Sequence, residues 1–116
     1  GVNMGLGIHR VYQVTMTSAA TLTPVVDLGR TWTKVYLDPT GAASEVRLQA
    51  SVSATGTFLQ VYHPSINSST VGANIFKIPS SVSGGLIEIP NGLRYIKVET
   101  TSPISNGLTM KLICSD

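Results

Sequence analysis

The chain has 116 residues, 12% of them charged, and a formal net charge of +2, a size at which one domain with its own hydrophobic core is expected. Its Lys and Arg residues stand singly, which leaves no basic stripe for a phosphate backbone, and prominent Val, Ile, Leu and Thr exclude a disordered polyelectrolyte. No run approaches the roughly 18 consecutive apolar residues of a membrane span, and no charged segment precedes an apolar one in the manner of a signal peptide.

At the start of the chain, the even positions Val2, Met4, Leu6, Ile8, Tyr12, Val14 and Met16 are apolar, with Arg10 as the exception. That is the period of two of a strand. Gly5 and Gly7 weaken its first half as an independent strand. Residues 1–9 are therefore expected to form an extended arm whose apolar side needs another surface, and residues 10–116 a single domain. Arg10 to Met16 is the firmer strand. Thr21 to Leu28 follows, with Pro24 suiting an edge, and then Thr31 to Leu37 after the Gly29-Arg30 break.

The turn Asp38-Pro39-Thr40-Gly41 leads to Glu45 to Ser53, where Val46, Leu48, Ala50 and Val52 alternate with Glu45, Arg47, Gln49 and Ser51. Ala54-Thr55-Gly56 turns the chain into Thr57 to His63, and residues 64–72 read as a polar loop. Short strands are expected at Asn74 to Ile78 and Gly85 to Ile89, then longer ones at Leu93 to Thr100 and Leu108 to Cys114. Between Ile87 and Thr100, two alternating segments meet at Pro90-Asn91-Gly92, the composition of a three-residue β-hairpin with a bulge. About eight to nine short antiparallel strands without helical periodicity give an all-β fold, a β-sandwich with the jelly roll as its preferred form.

Chemistry-bearing residues do not group. The histidines His9 and His63 sit at an arm and a strand end, outside any motif that would pair them with a nucleophile or a metal. Glu45, Glu88 and Glu99 alternate against apolar neighbours, Asp38 begins a turn, and Asp27 flanks a break, so no carboxylate pair for glycoside hydrolysis is marked. Asn67-Ser68-Ser69 matches a glycosylation sequon that matters only in a secretory setting. Cys114, the single cysteine, reads as an inert buried thiol in an apolar strand. No catalytic residue, metal or cofactor is assigned, and the expectation is a protein that is not an enzyme.

The aromatic residues carry the functional expectation. With Val35, Leu37, Leu59 and Val61 inward, Trp32, Tyr36, Phe58 and Tyr62 face out, and Tyr95 does so opposite Ile96 and Val98. Three readings stand: both faces of these strands are buried, or the aromatics anchor a protein interface, or they form a carbohydrate platform.

The phrases Val25-Val26-Asp27-Leu28-Gly29 and Ile89-Pro90-Asn91-Gly92-Leu93-Arg94-Tyr95-Ile96-Lys97-Val98, with low-charge alternating strands between them, resemble the small decoration (cement) proteins of tailed-bacteriophage capsids. The resemblance covers Thr21 to Cys114. It implies a β-sandwich or jelly roll on the exterior of the virion head, commonly a homotrimer, with the major capsid protein as partner; the scattered charges and the lack of a long apolar run add the expectation that neither nucleic acid nor membrane is a partner. The interface expected from the residues themselves comprises Val2, Met4, Leu6 and Ile8 of the arm together with Trp32, Tyr36, Phe58, Tyr62 and Tyr95. The competing reading is a carbohydrate- or receptor-binding module of a phage tail or secreted protein.

Overall fold

Nine strands pair into two antiparallel sheets in the computed structural model, which describes residues 9–63, 74–80 and 85–116. The strands are β1 (His9–Met16), β2 (Val26–Asp27), β3 (Lys34–Asp38), β4 (Val46–Ser51), β5 (Leu59–Gln60), β6 (Lys77–Ile78), β7 (Ile87–Glu88), β8 (Tyr95–Thr100) and β9 (Leu108–Ser115). One sheet has the order β1-β9-β3-β7. The other has the order β2-β8-β4-β5, with β6 also paired to β4. Val2, Met4, Leu6, Ile8, the sequon at Asn67 and the expected loop 64–72 lie outside the described residues.

Each strand expected from alternation is present, several of them shortened. The segment Thr21 to Leu28 keeps only β2 as a strand because Pro24 has no N–H to give a ladder. Thr23 stands in for the missing pairing: its N–H donates to the Val98 carbonyl at 3.0 Å, and its hydroxyl accepts from the Val98 N–H at 3.0 Å while donating to the Pro24 carbonyl. The side chain thus keeps a buried turn of chain satisfied where the ladder lapses.

The pairings β1·β9, β2·β8, β3·β7 and β4·β5 are successive rungs of one folded ribbon, and alternate rungs lie in opposite sheets. The two antiparallel sheets give the all-β sandwich class expected from the sequence. Their pairing corrects the expected hairpin. β7 pairs with β3 in one sheet, whereas β8 pairs with β4 and β2 in the other. Pro90-Asn91-Gly92 therefore turns the chain from sheet to sheet, with Gly92 at φ 83° and Ile89 still tied to β3 through its N–H to the Val35 carbonyl at 2.9 Å. A hairpin and such a crossing share the same turn chemistry, and only partner strands distant in sequence separate them.

The core fills the space between the sheets. Val14, Met16, Val35, Leu37, Met110, Leu112 and Cys114 point inward from one sheet, and Val46, Leu48, Ile78, Ile96 and Val98 from the other. Each fully buried aliphatic side chain contributes on the order of 1.5–3 kcal/mol from removal of apolar surface from water. At the end where β1 finishes, loop backbone seals the sandwich: Ala19 N–H donates to the Ile104 carbonyl at 2.7 Å, Thr100 N–H to Thr21, and Thr101 N–H to Glu45. Gly107, at φ 73°, packs so closely there that a Cβ would lie 2.9 Å from the Met16 carbonyl oxygen.

Candidate interaction surface

The opposite end of the sandwich exposes Val52 and Leu59, two of the four large hydrophobic residues exposed among the described residues; Val11 lies on an outer sheet face and Leu86 just before β7, beside Asp38. Register places His9 opposite Ser115, Lys34 opposite Ser115, and Ser51 opposite Tyr95, so the start of β1, the start of β3 and the start of β8 share this end. An open groove of about 540 Å³ lies here, lined by Thr31, Ala50, Val52, Leu59, Leu93 and Tyr95 among others. Val52 is 99% exposed and Leu59 66% exposed. Both were expected in the core. Leu59 does share the face of buried Val61, but it stands at the groove end, where the facing sheet does not cover it; Val52 lies just beyond the last paired residue of β4.

Two structural devices hold the groove's walls. Asp27 accepts the Gly29 N–H at 2.7 Å and pairs with Arg94 through both carboxylate oxygens, at 2.9 and 3.3 Å. The Leu28 N–H donates to the Arg94 carbonyl at 2.9 Å, and the Arg94 guanidinium lies 4.9 Å from the Tyr95 ring centre. The Arg94 guanidinium, followed by the Gly29 N–H, holds the Asp27 carboxyl below its ordinary range. The phrases containing Asp27 and Arg94, which carry the sequence resemblance, are thus neighbours on one rung of the ribbon.

The second device corrects the placement of Trp32. Its side chain is buried, 4% exposed, rather than outward. The strand begins at Lys34, so alternation counted back from Val35 does not reach Trp32. The Asp27-to-Gly29 turn, with Gly29 at φ 79°, sends the ring inward, and its indole N–H donates to the Leu28 carbonyl at 2.8 Å. The Tyr12 hydroxyl donates to the same oxygen at 2.9 Å. Arg30, ion-paired with Asp116, covers the ring with its guanidinium 4.4 Å from the centre. Trp32 closes the core beneath the open end and is not an exposed platform.

The remaining aromatics do not form one patch. Tyr36 is half-buried on the outer face of the β1-β9-β3-β7 sheet, in register with Ile113 and Glu88, and Val11 extends that row at 58% exposure. Phe58 and Tyr95 lie with the opposite sheet, where the Lys97 ammonium sits 4.5 Å from the Phe58 ring centre. Tyr62 is half-buried and bridges to Ile75. Among the described residues of the expected set, only Tyr95 lines the groove. Val52 and Leu59 are exposed against the inward expectation, because alternation marks a side chain's face and says nothing of where the facing sheet stops.

Several titratable residues have local partners. Glu45 accepts from Arg47 at 2.7 Å, Glu99 from Gln49 at 3.4 Å, and Asp38 from the Thr40 N–H at 3.0 Å. Glu45 and Glu99 are half-buried rather than freely solvated as expected, and Glu88 is exposed. His63 is exposed and meets the Phe76 ring edge-on at 5.5 Å, while His9 is exposed at the start of β1. Burial pushes the Cys114 thiol up to about 11, which keeps it protonated and unreactive at neutral pH. Among the described residues, no three of His, Cys, Asp and Glu gather where a metal could be held. No protein-family model matches the chain, and neither a curated protein nor a solved structure does.

Proposed function

We propose that the chain is a non-enzymatic structural protein that decorates and stabilises the exterior of a bacteriophage capsid as a homo-oligomer, with three copies as the expected number. The observation that carries this reading is the open apolar end of an otherwise well-filled sandwich. Val52 and Leu59 stand exposed beside Leu93 and Tyr95, on a chain with few charges to repel a neighbour. Exposed aliphatic and aromatic residues in a shallow groove suit a protein surface, where they lose water on contact. The sequence resemblance supplies the capsid as the site.

A sugar platform has less support. It needs an exposed ring against which a pyranose can lie, and Trp32 is enclosed while Tyr36 and Tyr95 belong to different sheets. Electron microscopy of virions made with and without the protein tests the proposal. Extra density on the head exterior only when the protein is present is the expected outcome, and identical heads in both preparations would overturn it.

A further inference from the structure

We infer that the open-end groove is the receptor for the apolar segment Val2 to Ile8 of a neighbouring copy, so that copies are linked by exchange of N-terminal segments. The inference rests on the homo-oligomer reading above, and it names the surface that holds the oligomer together. Three observations carry it. The groove is lined mainly by the apolar side chains of Ala50, Val52, Leu59 and Leu93, and among the described residues its one charged lining residue, Arg94, is already paired with Asp27. Residues 1–8 contain no charged side chain and present Val2, Met4, Leu6 and Ile8 at alternate positions, the spacing with which an extended segment lays one side into a groove.

The third observation is position. The segment joins β1 at His9, opposite Ser115, and Asp116 beside it pairs with Arg30, one residue before groove-lining Thr31. The segment therefore enters the fold at the groove end. Eight extended residues reach at most about 28 Å, enough to cross from one copy's β1 to the groove of a copy packed end against end. Leu59 and Val52, exposed in one chain, would then be covered by the next.

The test uses the chain lacking residues 1–8 and a fluorescein-labelled peptide of residues 1–9. Saturable binding, weakened about tenfold or more by Leu59→Asp and by Val52→Asp but not by Val11→Asp on the outer sheet face, is the expected result. Absence of saturable binding, or equal binding by all variants, overturns the inference. Circular dichroism melts of each variant confirm that the fold is retained, and Leu59→Ser serves if Leu59→Asp unfolds. Light scattering of the full chain then identifies the donor. A multimer that falls to a monomer on Leu59→Asp supports exchange between copies, whereas a monomer whose own segment fills the groove overturns it. None of these readouts involves a capsid, so failure of the decoration proposal would leave them unchanged.

Discussion

The two ends of the sandwich are built from the same alternating strands and finish differently. At one end, loop backbone from Ala19, Thr21 and Ile104 is hydrogen-bonded across the gap, and Met16 and Thr100 are almost wholly enclosed. At the other, Trp32 closes the core from below while Val52 and Leu59 remain in water above it. Alternation builds the walls of a sandwich, and segments outside the strands decide whether an end is sealed. The unsealed end is where a partner gains most by binding, since apolar surface is still there to be covered.

Substitutions can break this contrast. The largest effect is expected at the plug: Trp32→Ala should cost about 3–5 kcal/mol, with both the ring's volume and its bond to the Leu28 carbonyl lost, as read by chemical denaturation. Met16→Ala at the sealed end should cost about 2–5 kcal/mol. Two glycines then compare the ends directly. Gly107→Ala combines a left-handed backbone with a Cβ 2.9 Å from the Met16 carbonyl oxygen, and should cost at least about 2 kcal/mol. Gly92→Ala, also left-handed but with nothing within 4 Å of the added Cβ, should cost only about 1 kcal/mol.

Leu59→Ala should change stability by no more than about 0.5 kcal/mol, because most of its side chain is already in water. A loss comparable with that of Met16→Ala would mean that the groove end is sealed after all. The smallest expected effect is one of pH. The folded protein holds the Asp27 carboxyl below its ordinary 3.8, so the stabilisation it adds is present above that value and is lost as pH falls through the lowered folded one. Asp27 is exposed and its ion pair is screened by salt. Melting curves between neutral and acid pH should show a slight acid-side loss that Asp27→Asn reduces, and an unchanged pH profile in that variant would remove the Asp27–Arg94 pair from the account.

Much of the fold was legible because alternation reports directly on strands with one buried face. β4, β8 and β9 alternate as expected, with Val46, Leu48, Ile96, Val98, Met110 and Leu112 inward, and the burial of Cys114 followed from its neighbours. The pairing of strands was not legible. Pro90-Asn91-Gly92 specifies a reversal, yet whether β8 returns beside β7 or crosses to the other sheet depends on β3 and β4, some fifty residues earlier. The placement of Trp32 failed for a related reason: its burial is fixed by the Asp27-to-Gly29 turn and the Leu28 carbonyl, outside any strand whose parity could be counted. The groove was invisible because alternation gives no sign that Val52 and Leu59 stay exposed at the ends of β4 and β5.

Co-sedimentation with capsids stripped of the protein tests the functional account most directly, using the full chain and its Leu59→Asp variant matched for melting temperature. The account predicts saturable binding by the full chain and binding at least about tenfold weaker by the variant, because copies that no longer hold one another lose the gain of joint attachment. Equal binding by both, or no binding by either, would contradict it.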